Sequence, residues 1–191
     1  MKRPSKQDPP TAERILDAAS PLFYRRGLAA VSMDDVATVA GLTKRTVYYH
    51  FPTKDDLIVA YLNRWRLRIR KTLEAGNESE EPLDALLSAF RRLEREVARE
   101  GYRGCPFVNA ISELNDRAHP ATALTVLYKE DRRAWFERLL VAGGIASAAK
   151  LSKQLTLLWE GAMVRALIHN SAAYVRDAHD AAAALIAAAR R

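Results

Sequence analysis

Lys44, Arg45, Thr46, Tyr48, Tyr49 and His50 stand almost side by side, with Ser32, Met33, Thr43, Thr53 and Lys54 on either side, in the stretch SMDDVATVAGLTKRTVYYHFPTK from Ser32 to Lys54. They do not pair a nucleophile with a base or form a metal-ligand set; what they share is hydrogen-bonding capacity. Lysine and arginine N–H groups match guanine O6 and N7, a pairing that discriminates by about 1–3 kcal/mol. A threonine reaches a base edge or a phosphate, or sets its methyl against thymine. Tyr48, Tyr49 and His50 suit phosphate and sugar contacts, which set register rather than sequence. Lys54 and Thr53 stand where exposed amides at a helix start hold a phosphate, and Ser32 and Met33 occupy a second such start.

That chemistry needs two short helices at a fixed angle. Ser32 and Asp35 have capping-box spacing, so a helix is expected from Ser32, with Val36, Val39 and Ala40 inward and Gly41 ending it. Thr43 caps a second helix over 44–50, whose inward pair is Val47 and Phe51. Pro52 breaks the chain and Thr53 caps the next helix, over 54–73. This arrangement lays one helix in a DNA major groove. Upstream, Ile15, Ala18, Ala19, Leu22 and Phe23 predict a helix over 12–26 with Thr11 as its cap and Gly27 as its stop, kinked where Pro21 takes the donor from the Asp17 carbonyl.

The charge agrees. The formal net charge is +7. Residues 1–72 carry 14 Lys+Arg against 7 Asp+Glu, and the remainder carries 16 of each. A basic excess confined to one region suits a polyanionic partner. The predicted organisation is a disordered arm over 1–10, a head over 11–53 and a helical body over 54–191, with the 54–73 helix as connector. The GNESEEP segment, 76–82, is the clearest internal break.

Taken together, ERILDAA, LFYRRG, MDDVATVAGLTKRTVYYHF and PTKDDL, across residues 11–62, resemble the N-terminal domain of TetR-family transcriptional regulators. The GCPFVNAISEL segment resembles one branch of that family. The resemblance implies an all-α fold with a three-helix DNA-binding head, a helical ligand-binding body, a homodimer on double-stranded DNA with a palindromic operator, and usually repression. Alternatives are an activator or effector-independent regulator of the same fold, or a helical adaptor or enzyme that does not use its basic head.

In the body, helices are expected at 82–100, 106–116, 119–142, 151–169 and 171–190, with GGIASAA (143–149) as a loop. A small-molecule effector would lie among apolar side chains with a few polar groups. The candidates are Phe90, Cys105, Phe107, Asn109, Glu113, Tyr128, Arg132, Trp135, Trp159 and Met163, with plain core as the alternative for the aromatics; Arg132 or Arg165 would favour an anion or equally sit in surface ion pairs. The single cysteine, Cys105, precedes Pro106 at a predicted helix start, where a thiol is activated. It reads either as a sensor of oxidants or as a small buried side chain. Leu155, Leu158, Trp159, Ala162, Met163, Ala166 and Leu167 share one helix face. Val175, Ala178, Ala182, Leu185, Ile186 and Ala189 share another. The two faces predict a four-helix dimer interface, with an intramolecular core as the alternative. No HExxH, GxGxxG, P-loop or GxSxG motif occurs, and the histidines lack metal-ligand spacing. No enzyme, cofactor, metal or membrane partner is expected, and the single cysteine and the lack of a signal sequence point to the cytoplasm.

Overall fold

The structure, a computed structural model, describes residues 10–75 and 81–190, without the side chains of 72–75. Most of the expected N-terminal arm, and residues 76–80 of the GNESEEP break, lie outside the described residues. Those described form nine α-helices and no strand: α1 Thr11–Arg26, α2 Met33–Ala40, α3 Lys44–His50, α4 Lys54–Ala75, α5 Pro82–Val97, α6 Pro106–Leu114, α7 Pro120–Ala142, α8 Ala148–His169 and α9 Ala173–Ala189.

Two compact units share these helices. One joins the chain up to Trp65 with Pro106–Leu124; the other joins Arg66–Cys105 with the chain from Thr125 onward. The division therefore falls inside α4 and α7 rather than at residue 53, and it places α6 with the head.

In the first unit, α1, α2 and α3 pack on one another around Ile15, Ala19, Phe23, Val36, Val47, Leu57, Ile58 and Leu62, each 3% exposed or less. Phe23 meets Tyr61 edge-on at 5.5 Å. Two local expectations are corrected, at Thr11 and at Val39. Thr11 is already helical, and Pro10 occupies the cap position without a side-chain bond. As expected, α1 continues through Pro21, which sits on the exposed side, where the undonated Asp17 carbonyl can meet water. Val39 is 58% exposed, because the inward face of α2 is Met33, Val36 and Ala37, and Val39 lies roughly 100° around the helix from it.

In the second unit, α9 packs on both α5 and α8. The core centres on an aromatic group: Phe90 stacks on Phe136 at 6.0 Å, and Trp159 closes edge-on at 5.1 Å from Phe90. α8 begins at Ala148, three residues before its expected start, so its first turn replaces the end of the GGIASAA loop. The dimer expectation needs a correction here. Leu155, Trp159, Ala162, Ala166, Val175, Ala178, Ala182 and Ile186 are all 7% exposed or less within the single chain. They are intramolecular core, with Leu158, Met163, Leu185 and Ala189 packed partly buried at its edge. The apolar residues that α8 leaves outward are Leu157 (74% exposed), Val164 (49%), Leu167 (42%) and Ile168 (67%).

Candidate nucleic-acid interface

The first unit fixes the α2–turn–α3 segment at every end. Ser32 and Asp35 form a full capping box: the Ser32 amide donates to Asp35 Oδ2 at 2.8 Å, and the Asp35 amide donates to Ser32 Oγ at 3.1 Å. Two donors that a helix start leaves orphaned are thereby satisfied. The Ser32 amide, then its hydroxyl, hold the Asp35 carboxyl below the usual carboxylate range, and Arg26 at 3.5 Å adds to this. Gly41 closes α2 at φ 64°, in the left-handed region glycine adopts without penalty. The Leu42 amide then donates to the Ala37 carbonyl at 2.9 Å, and Arg14 reaches across from α1 to the Ala40 carbonyl at 3.1 Å. Thr43 accepts from the Thr46 amide at 3.2 Å and starts α3.

Burial of Val47 (0% exposed) and Phe51 (9%) sets the rotation of α3. Lys44, Arg45, Tyr48, Tyr49 and His50 are left exposed, with Thr46 half-buried. Tyr49 is 82% exposed and edge-packed on His50 at 5.2 Å. Lys44 Nζ bridges to Asp34 Oδ2 at 2.9 Å, and this bond holds the ammonium above its usual pKa. Thr53 and Asp56 repeat the capping box at α4: the Thr53 amide donates to Asp56 Oδ2, and the Asp56 amide donates to Thr53 Oγ1, both at 3.0 Å. Lys54 Nζ donates to the Ala29 carbonyl at 3.4 Å. Met33 departs from the expectation, since its side chain is 5% exposed and packs in the core; only its backbone stands at the helix start.

Glu113 also departs from expectation. It lies in the first unit, where its Oε2 accepts from the Ala29 amide at 3.0 Å. Phe107 is fully buried in that unit and Asn109 is on the same helix, α6. Neither they nor Glu113 line the cavity in the second unit. That cavity, about 360 Å³, is walled by Arg66, Ile69 and Arg70 of α4 and by Tyr128, Asp131, Arg132, Ala134, Trp135 and Arg138 of α7. Of the expected ligand residues, Tyr128, Arg132 and Trp135 are there, while Phe90, Trp159 and Met163 belong to the core cluster. The α4 wall has i, i+3, i+4 spacing, and α7 contributes residues 128, 131, 132, 135 and 138 at helical spacing, with Ala134 beside them. That periodicity is visible in the sequence once the two helices are known to face each other.

Cys105 is buried, with Lys129 Nζ 3.6 Å from its sulfur. Lys129 also donates to Glu160 at 2.5 Å. Burial works against the Lys129 ammonium, but Cys105 and Glu160 outweigh it and hold its pKa above the ordinary lysine value. Among the described residues, no three His, Cys, Asp or Glu side chains gather as a metal site, and no helix is long and apolar enough to cross a membrane.

This architecture has close counterparts. The family profile described as bacterial regulatory proteins, tetR family, matches residues 15–61. An HTH-type transcriptional repressor of Mycobacterium tuberculosis is 33% identical over 135 residues, 71% of this chain and 68% of that protein. The probable HTH-type transcriptional regulator ArpR of Pseudomonas putida is 33% identical over 100 residues, 52% of this chain and 47% of its own length. The match thus spans about half of that relative. A crystal structure of a TetR-family transcriptional regulator from Streptomyces coelicolor superposes with a TM-score of 0.87 at 27% identity, covering 95% of this chain and 96% of that one. With a capped helix-turn-helix in its head and these relatives in sequence and in structure, the chain belongs to the TetR family of transcriptional regulators.

Proposed function

We propose that the protein is a cytoplasmic, homodimeric repressor that reads a palindromic operator through α3 and leaves it when a small molecule binds the second unit. The observation that carries the DNA reading is the state of α3. Its two inward side chains are buried and its start is capped, while Lys44, Arg45, Tyr48, Tyr49 and His50 are held outward together. Lys44 and Arg45 stand in its first turn, the end that meets base edges. Thr46 is placed to reach a base edge or phosphate. Tyr48, Tyr49, His50, Thr53, Lys54 and Ser32 supply phosphate and sugar contacts.

For the homodimer, the support is the stripe Leu157, Gly161, Val164 and Ile168 on α8. Its i, i+4, i+7, i+11 spacing leaves it exposed on one face, with a glycine that permits close helix approach. A second copy covers it, and two heads then meet half-sites about one helical turn of DNA apart. Effector release requires only that the ligand bind more tightly to a state in which the heads miss successive half-sites.

The deciding experiment measures binding to a palindromic duplex at several salt concentrations. Affinity falls steeply with salt, and the Lys44→Ala, Arg45→Ala double variant loses specific binding while staying folded. Specific binding by that double variant would overturn readout through Lys44 and Arg45, and the absence of specific binding by the wild-type chain would favour a helical adaptor. A reporter strain whose target expression falls on deletion of the gene would favour an activator.

A further inference from the structure

A cavity in the second unit holds a positive charge that no carboxylate among the described residues neutralises. Arg132 is 6% exposed. Its guanidinium lies 4.2 Å from the centre of a Trp159 ring, and Nη2 donates to the Tyr128 hydroxyl at 3.1 Å. No carboxylate among the described residues pairs with it. The one acid in the wall, Asp131, is engaged by Arg66 at 2.7 Å. Arg70 and Arg138 stand in the same wall, and Arg138 makes no ion pair among the described residues. Trp135 is 2% exposed, and its Nε1 is buried without an acceptor.

A buried, unpaired cation is among the costliest groups a fold retains. Stacking on Trp159 and Tyr128 offsets part of that cost. The guanidinium still has N–H donors to place, and the buried indole N–H of Trp135, another residue of the same wall, also lacks an acceptor. Both deficits ask for the same thing, an acceptor bearing negative charge. The remaining wall residues are apolar: Ile69, Ala134 and Trp135. At about 360 Å³ the cavity is near the small end of ligand sites.

We propose that this cavity is the effector site and that it takes a small organic carboxylate with an apolar body, whose oxygens pair with Arg132 and the Trp135 N–H, with Arg138 in the same wall. The inference rests on the ligand-responsive reading above and gives that ligand a chemical class.

The test uses the full chain with 1-naphthoate and its neutral isostere 1-naphthamide, titrated by calorimetry without DNA. The carboxylate binds roughly 10- to 100-fold more tightly than the amide, the worth of one or two charge-assisted bonds. Arg132→Met removes that preference, and its unliganded melting temperature is unchanged or higher, since an apolar side chain relieves an unpaired buried charge. If Arg132→Met does not fold, Arg138→Gln decides, weakening the carboxylate several-fold. The proposal is overturned if acid and amide bind alike, if neither binds, or if the folded variants leave the preference intact. Adding naphthoate to the protein–duplex complex separates the two readings. Tight binding without release of DNA keeps the site and ends the effector-release reading; release by the amide alone does the reverse.

Discussion

Gly27→Ala tests how the head is tied to α6. Gly27 ends α1 at φ 91°, ψ 158°, a region essentially restricted to glycine, where another residue costs about 1–3 kcal/mol. A Cβ there would stand 2.9 Å from Glu113 Oε2 and 3.2 Å from Oε1. Glu113 is a flexible side chain and will move, but its Oε2 is the acceptor for the Ala29 amide at 3.0 Å. Moving it forfeits an exposed charge-assisted bond worth up to about 1 kcal/mol. The total loss is therefore about 1–4 kcal/mol, most of it backbone strain. Urea denaturation followed by circular dichroism measures it, with unchanged m-values as the check that the difference is one of stability. The same substitution in a Glu113→Ala background separates the parts: strain persists, the displacement disappears, and a coupling of about 0.5–1 kcal/mol remains between the two positions. A loss below about 0.5 kcal/mol in the wild-type background would refute the strain argument. Equal losses in both backgrounds would refute the contact with Glu113.

Other consequences are separately measurable. Ser32→Ala removes the capping box of α2 and lowers stability by about 1 kcal/mol in the same denaturation assay, with weaker operator binding as α2 frays. Because the folded Asp35 pKa is depressed, the stability Asp35 adds is present above its unfolded value and is lost as pH falls through the folded one. The stability gap between wild type and Asp35→Asn should therefore shrink below about pH 4, and a pH-independent gap would refute the assignment. Asp34→Asn frees Lys44 from its partner at 2.9 Å and removes a negative charge beside α3; if α3 reads the operator as proposed, duplex affinity by fluorescence anisotropy rises up to about fivefold, the scale of one exposed ion pair. Val164→Glu sets a charge in the exposed α8 stripe, and analytical ultracentrifugation should show the dimer dissociating while the helical content is kept.

The head was legible because its signals are local. The capping residues Ser32 and Thr43, the turn at Gly41 and the inward pair Val47 and Phe51 act within a few residues, and each stands where the spacing put it. Met33 and Val39 were not legible in the same way. Both lie on a helix of eight residues, too short for apolar type alone to distinguish the inward face from its neighbour. At α1 the cap position passed from Thr11 to Pro10, since a proline fixes a helix-compatible backbone without a side-chain bond.

In the body the missing information was which helix faces which. Helical period reports which residues share a face, not what covers that face. Glu113 sits near apolar residues on α6 and looked like a pocket group, but α6 packs with the head, and its carboxylate serves the Ala29 amide. α8 makes the point most sharply, because it carries two apolar stripes. Leu155, Trp159, Ala162 and Ala166 form one, and Leu157, Gly161, Val164 and Ile168 form the other. The first includes the tryptophan and is the more conspicuous in the sequence, but α5 and α9 cover it within the chain. A helix with one apolar stripe would be satisfied by that packing. The second stripe leaves Leu157 and Ile168 more than 60% exposed in the single chain, an arrangement that favours association with another surface. The dimer reading therefore rests on the apolar residues the core leaves over rather than on those it consumes, and Val164 and Leu157, not Trp159, are the positions at which to disrupt it.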